Sequence, residues 1–256
     1  MAQATFRFYA ELNDFLPHSR RQVPFVHRFN GRVSIKDMIE ALGVPHTEVD
    51  LILVNGESVD FHYLVQDGDY ISVYPVFESF DITPLLRVRP RPLRQPRFVL
   101  DVHLGRLTGY LRLLGFDALY IPDCDDATLA ALSRQERRTL LTRDRGLLKR
   151  RQVTHGYCVR NTNPREQVRE VLRRFDLYRL IAPFTRCIRC NGVLQPVARH
   201  AIVDRLPPHV RDHHDEFRMC AACGQVYWRG SHYDRMQALI ACWLEDAPDN
   251  SPPEGE

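Results

Sequence analysis

The chain has 256 residues, 44% hydrophobic and 26% charged, which suits a folded globular protein large enough for two modest domains. Its formal net charge of +3 hides an asymmetry: residues 1–80 hold 6 Lys/Arg against 11 Asp/Glu, a net of −5, and residues 87–186 hold 22 against 10, a net of +12. No run approaches the roughly 18 apolar residues a membrane helix needs, and MAQATFRFYAEL lacks a secretory pattern, so the expectation is a cytoplasmic protein with no membrane partner.

The basic stretch suits a polyanion such as RNA, while solvated arginines of a biased composition are the plainer alternative. Seven cysteines is an odd number, and four of them form two CxxC pairs, a pattern that points to metal in a reducing compartment rather than to disulfides. Cys124, Cys158 and Cys242 read as ordinary small side chains.

In chain order, ATFRFY from Ala4 and QVPFVHRF from Gln22 read as strands, and Ser34 caps a short helix that Gly43 ends. Asn55-Gly56 between apolar runs is a hairpin signal, and YISVYPVF from Tyr70 alternates as a strand. Two strands, a helix and further strands make a β-grasp order. The segment from Val33 to Phe80, with LGVPHTEVDLILVNG and DGDYISVYPVFES, resembles the ubiquitin-like domain that precedes bacterial RNases of the Mut-seven C-terminal type. That domain is similar to small sulfur carriers, which end in Gly-Gly, whereas Phe77 to Phe80 here runs on into more chain. The resemblance implies a protein partner for residues 1–80 rather than sulfur transfer.

Residues 81–97 concentrate Pro and Arg and read as a linker. Beyond it, FVL, FDALYI, TLLT and YCVR are strand candidates. Between them run a helix with Leu104, Leu107, Leu111 and Leu114 on one face, then ATLAALSRQ and RGLLKR; PREQVREVLRRF, capped by Asn163, follows the last. Such alternation predicts a parallel sheet covered by helices.

The crevice of an open parallel sheet lies beyond the carboxyl ends of its strands. Asp101 follows FVL, Asp125 and Asp126 follow FDALYI, and Asp144 follows TLLT. Carboxylates gathered there repel unless a cation neutralises them, and Mg²⁺ or Mn²⁺ prefers oxygen ligands. Such an ion activates water for phosphodiester hydrolysis. The competing explanation is that each Asp caps the helix after it.

LDVHLGRLTGYLRLLGFDALY, LLTRDRGLL and NTNPREQ resemble the Mut-seven C-terminal RNase domain, a variant of the PIN nuclease fold with an appended zinc ribbon. The resemblance implies that Asp101 and Asp144 bind Mg²⁺ or Mn²⁺ and that one of Asp125 and Asp126 joins them; a fourth acid usual in PIN nucleases has no match. Arg106, Arg143 and Arg145 are candidates for the phosphate, with exposed helix faces as the alternative. Asn161 lies near the same crevice, and Asn163 is better explained as a cap.

Cys187-Ile-Arg-Cys190 and Cys220-Ala-Ala-Cys223-Gly predict two knuckles holding one tetrahedral zinc. Four thiolates leave no open position, so this zinc is structural. The insert between the pairs carries Arg199, His200, Arg205, His209, Arg211, His213 and His214, read as surface residues. In VYWRGSHYDRM, aromatic and basic residues interleave as in single-stranded RNA binders: Tyr227, Trp228, Arg229, His232 and Arg235. Packing of Tyr227 and Trp228 on the ribbon is the alternative, and the family resemblance singles out His232.

The expectation is therefore a ubiquitin-like β-grasp domain (residues 1–80), a linker (81–97), a PIN-like α/β RNase domain (98–182), a zinc ribbon with a C-terminal helix (183–245) and a disordered tail (246–256). The expected activity is that of a Mg²⁺- or Mn²⁺-dependent ribonuclease. A non-catalytic RNA-binding zinc-ribbon protein, with the ubiquitin-like domain recruiting partners, is the rival.

Overall fold

Strands β1 (Ala2–Phe8) and β2 (Phe25–Phe29) precede α1 (Ile35–Ala41), and β3 (Leu51–Val54), β4 (Glu57–Ser58) and β5 (Tyr70–Tyr74) follow it in the computed structural model, which describes residues 1–75, 96–245 and 247. Next come β6 (Arg97–Leu100), α2 (Gly105–Leu113), β7 (Asp117–Tyr120), α3 (Asp126–Gln135), β8 (Thr139–Thr142), α4 (Arg145–Leu148), β9 (Gly156–Cys158) and α5 (Pro164–Arg174). The C-terminal part holds β10 (Leu194–Val197), α6 (Pro208–His213), β11 (Phe217–Cys220), β12 (Val226–Trp228) and α7 (Ser231–Leu244). The expected linker lies outside the described residues as far as residue 95, and so does the expected tail apart from residue 247.

Contacts divide the chain into two units. One spans Met1–Gln95 and Cys124–Cys158, and the other Pro96–Asp123 and Val159–Glu256.

The first unit contains a five-stranded sheet of order β2-β1-β5-β3-β4, with β1 parallel to β5 and its other pairs antiparallel. This is the β-grasp arrangement. Alternation along β1 buries Ala4, Phe6 and Phe8 while Thr5 and Arg7 stay partly exposed. Ile35, Met38 and Ile39 of α1 are buried too, and each such apolar side chain contributes about 1.5–3 kcal/mol. Ser34 Oγ accepts the Asp37 N–H at 3.1 Å and starts α1 as its sequence predicts. At the hairpin, Asn55 (φ 52°) and Gly56 (φ 90°) both take the left-handed backbone of a type I′ turn, and Val54 pairs with Glu57.

The same unit includes α3, β8, α4 and β9, with β8 parallel to β9. Pattern along the sequence assigns these elements to the second domain; within this unit, polar contacts also join them to α1 and the turn after it. Glu48, 0% exposed, accepts the Cys158 N–H at 2.5 Å. His46 engages Glu40 Oε1 at 2.6 Å and the Val153 carbonyl at 2.9 Å, and Lys149 Nζ donates to the Glu40 carbonyl at 2.7 Å.

In the second unit β6 and β7 pair in parallel, Phe98 facing Ala118, and bring the parallel strands of the second half of the chain to four. Helix α2 ends at Gly115 (φ 94°), where an added Cβ would stand 2.2 Å from the Ala182 carbonyl oxygen, so glycine is required for both space and backbone. Helix α5 starts as its sequence predicts, with Asn163 accepting the Arg165 N–H at 2.9 Å and Pro164 in the first turn. Helix α7 is anchored by Trp243, which is fully buried, meets Tyr110 edge-on at 5.2 Å and donates its indole N–H to the Arg165 carbonyl at 3.2 Å.

Strands β10, β11 and β12 form an antiparallel sheet in that order. The insert between the cysteine pairs carries a small core of its own, because Ile202, Leu206 and Val210 pack with Phe217 and Val226. Among the described residues, no helix is long and apolar enough to cross a membrane.

Candidate functional site

The four ribbon cysteines come together through two equivalent turns. Asn191 N–H bonds back to the Cys187 carbonyl at 2.9 Å and Gly224 N–H to that of Cys220 at 3.0 Å, and both closing residues are left-handed, at φ 71° and 70°. Cys190 Sγ stands 3.4 Å from Cys220 Sγ and Cys187 Sγ 3.7 Å from Cys223 Sγ. Four sulfurs about 2.3 Å from a tetrahedral zinc stand about 3.8 Å apart, so the spacing fits that ion. Among the described residues, this is the one group of three or more His, Cys, Asp or Glu whose ligand atoms all lie within 4.8 Å of one another.

The surroundings of the cluster are built for it. A Cβ at Gly192 would lie 2.7 Å from Cys220 Sγ, so the chain approaches the sulfurs where a side chain would block it. Burial pushes the Cys220 thiol up, but the backbone N–H groups of Cys223 and Ala222, with the neighbouring thiols, outweigh it and bring the value to about 7, favouring a thiolate. Tyr227 Oη lies 3.1 Å from Cys187 Sγ, and burial, followed by that bond, raises the phenol's pKa. The cluster is also tied to the α/β part of its unit: the buried Arg112 donates to the carbonyls of Ala118 (2.8 Å), Ile188 (2.9 Å) and Arg189 (3.0 Å). Asn191 bonds Asp117 and the Ala118 N–H alongside.

Each candidate carboxylate sits at the start of a helical turn. In the second unit Asp101, 4% exposed, accepts the His103 N–H at 2.8 Å. In the first unit Asp125 caps α3 through the Thr128 N–H at 2.8 Å, and Asp144 caps α4 through the Gly146 N–H at 2.6 Å. The Asp125 carboxyl is held below the usual range, chiefly by the Thr128 backbone and side-chain bonds. Asp126 instead pairs with Arg150 at 3.5 Å. Capping by Asp144 uses Oδ1, and among the described residues no protein donor reaches its Oδ2.

The candidate arginines diverge in use. Arg106 and Arg143 are exposed, whereas Arg145 lies over the Phe15 ring at 4.9 Å, within its own unit, and is already occupied there. Asn161 Oδ1 faces the Asn163 N–H at 3.4 Å, ahead of the capped helix.

Trp228 and Arg229 line one cleft of about 580 Å³ in the second unit, together with Phe184, Arg218 and Tyr233. His232 is exposed in the first turn of α7 and is not among the lining residues. Phe184, Arg218 and Tyr233 escaped the sequence reading. Tyr233 lies inside the aromatic and basic run and was legible there, but nothing local marks Phe184.

Residues 96–240 match a family model described as the Mut7-C RNAse domain, and residues 1–81 match one described as Mut7-C ubiquitin. No curated protein and no solved structure matches the chain significantly.

Proposed function

The chain belongs to the Mut7-C RNAse domain family, whose model spans more than half of it, and from that premise we propose a ribonuclease that uses Mg²⁺ or Mn²⁺ to hydrolyse single-stranded RNA. The observation that carries this reading is the recurrence of an aspartate just past three strands, Asp101 after β6, Asp125 after β7 and Asp144 after β8. A bound divalent ion would activate water and stabilise charge on the phosphate oxygens. Each capping aspartate commits Oδ1 to a backbone N–H, which fixes the direction of the carboxylate. For Asp144 that leaves Oδ2 as the free donor atom. Arg143, exposed beside it, would meet a phosphate on the same unit. The zinc would be structural, and the ubiquitin-like domain would recruit a protein partner.

A non-catalytic RNA-binding protein is the second reading, favoured by the helix-capping use of the same aspartates. Asp144→Asn separates the two, because Asn retains the cap and loses the charge. Divalent-dependent cleavage of single-stranded RNA falls on the order of a hundredfold or more if the carboxylate supports the reaction. RNA affinity and thermal stability stay close to wild type. Undiminished cleavage in this variant overturns the metal mechanism. If zinc-loaded wild type shows no cleavage with added Mg²⁺ or Mn²⁺, the second reading replaces the first.

A further inference from the structure

The cleft beside the ribbon has a construction that its packing role does not require. Phe184 holds a left-handed backbone, φ 58°, which a bulky residue rarely adopts. Its N–H donates to the Leu113 carbonyl at 3.1 Å and its own carbonyl accepts from Arg218 Nη1 at 3.3 Å, so both sides of the peptide are pinned. A conformation with that cost persists where its surroundings over-determine it, and such sites cluster where ligands are held. The ring is turned onto Tyr233, with centroids 4.3 Å apart and planes 30° from parallel.

Trp228 also borders this cleft, but it is half-buried and packs on the small core of the insert beside Phe217. At the rim, Arg229 lies over the Tyr233 ring at 5.7 Å and 3.1 Å from Glu216, both partners exposed. Ion pairs this exposed contribute little, so the guanidinium is readily given up to a stronger anion. Arg218 is a second exposed cation lining the cleft, with Nη1 on the Phe184 carbonyl and the rest of its guanidinium open to solvent.

We propose that this cleft holds one unpaired nucleotide of the RNA, its base stacked on the Phe184 and Tyr233 rings and its phosphate met by Arg218 and Arg229. The volume, about 580 Å³, lies within the range of sites that enclose small ligands. An aliphatic ligand would use the rings but offer no anion to the exposed Arg218 and Arg229 guanidinium groups. A nucleotide uses both, since every base offers a π face and its phosphate is an anion. A paired base cannot enter, so the cleft selects single strands. This subsite rests on the ribonuclease reading for its substrate class, but it is independent of which residues carry out hydrolysis.

The test measures binding rather than turnover. Full-length, zinc-loaded protein without added Mg²⁺ or Mn²⁺ is titrated into a short labelled single-stranded RNA carrying 2-aminopurine. Stacking in the cleft quenches the probe in wild type, and Tyr233→Ala or Phe184→Gly weakens binding roughly 5- to 150-fold, the effect of losing one stacking ring. Phe184→Gly is the sharper variant because glycine is at home in this backbone: affinity falls while the thermal midpoint holds. Should it fail to fold, Tyr233→Ala, on the surface of α7, carries the test. Arg229→Ala lowers the slope of log affinity against log salt by about one. Unquenched 2-aminopurine on binding, or ring variants within twofold of wild type, overturns the subsite even where cleavage proceeds. Quenching without any divalent-dependent cleavage overturns the ribonuclease reading and leaves the subsite standing. An apolar dye that fills the cleft and is not displaced by RNA marks a docking groove instead, and the proposal fails.

Discussion

Glu48→Ala tests how firmly the ubiquitin-like sheet is joined to residues 124–158. Glu48 is fully buried, and its carboxylate accepts the Cys158 N–H at the end of β9. Removing the acceptor strands a buried backbone donor, which costs about 1–3 kcal/mol, and hydrogen bonds to charged groups fall in the upper part of that range. The one deleted methylene, with the carboxyl group that leaves with it, adds about 1 kcal/mol or somewhat more through the space left. The expected loss is therefore about 2–4 kcal/mol, a large share of the 5–15 kcal/mol that holds a typical domain together. Glu48→Gln keeps an oxygen for the same N–H and should lose less than half as much. Chemical denaturation gives the stabilities, and hydrogen exchange at the Cys158 amide shows whether the loss is local. If Glu48→Ala stays within about 0.5 kcal/mol of wild type with that amide still protected, the contact is not a joint and the reasoning fails.

Two further outcomes follow from the sites described above. The purified protein should contain about one zinc per chain, and Cys220→Ser should lower both zinc content and the stability of the second unit, whereas Cys242→Ser should change neither; elemental analysis and calorimetry check this. The Asp125 carboxyl is depressed below 3.8 in the fold by the Thr128 bonds, so its contribution is present above its unfolded value and is lost as pH falls through the folded one. The stability gap between wild type and Asp125→Ala should accordingly shrink below about pH 4, and a gap that stays constant to pH 2 would show that the bond does not favour the charged form.

Much of the architecture was legible because the deciding signals are local. Asn55-Gly56 needs no partner to prefer a type I′ turn, Ser34 and Asn163 cap the helices that follow them, and the CxxC spacing presents two sulfurs per knuckle whatever lies around it. The joint between the N-terminal sheet and residues 124–158 was not legible. It depends on Glu40, His46 and Glu48, polar residues that no local pattern singles out, and only their contacts with Lys149, Val153 and Cys158 reveal their use. The aspartates show the limit from the other side: sequence placed them just past strand ends, but capping and metal binding ask for the same residue at the same position. Phe184 was invisible because its value lies in a backbone angle set by Leu113 and Arg218, which are distant in sequence.

Each unit is made from two separated stretches of chain, and this interleaving has a consequence for biosynthesis. As the chain leaves the ribosome, the N-terminal sheet emerges first, yet the β9 amide that Glu48 must satisfy arrives only with Cys158. Glu48 therefore waits for more than a hundred residues, hydrated or loosely held, before it has its buried partner. Strands β6 and β7 are synthesised during that wait, and the helix that covers Phe98, α5, comes later still. Non-local closure of this kind slows folding and prolongs the exposure of apolar strands. Neither unit can mature before the other has begun, which ties the yield of folded protein to the pace of translation across residues 96–158.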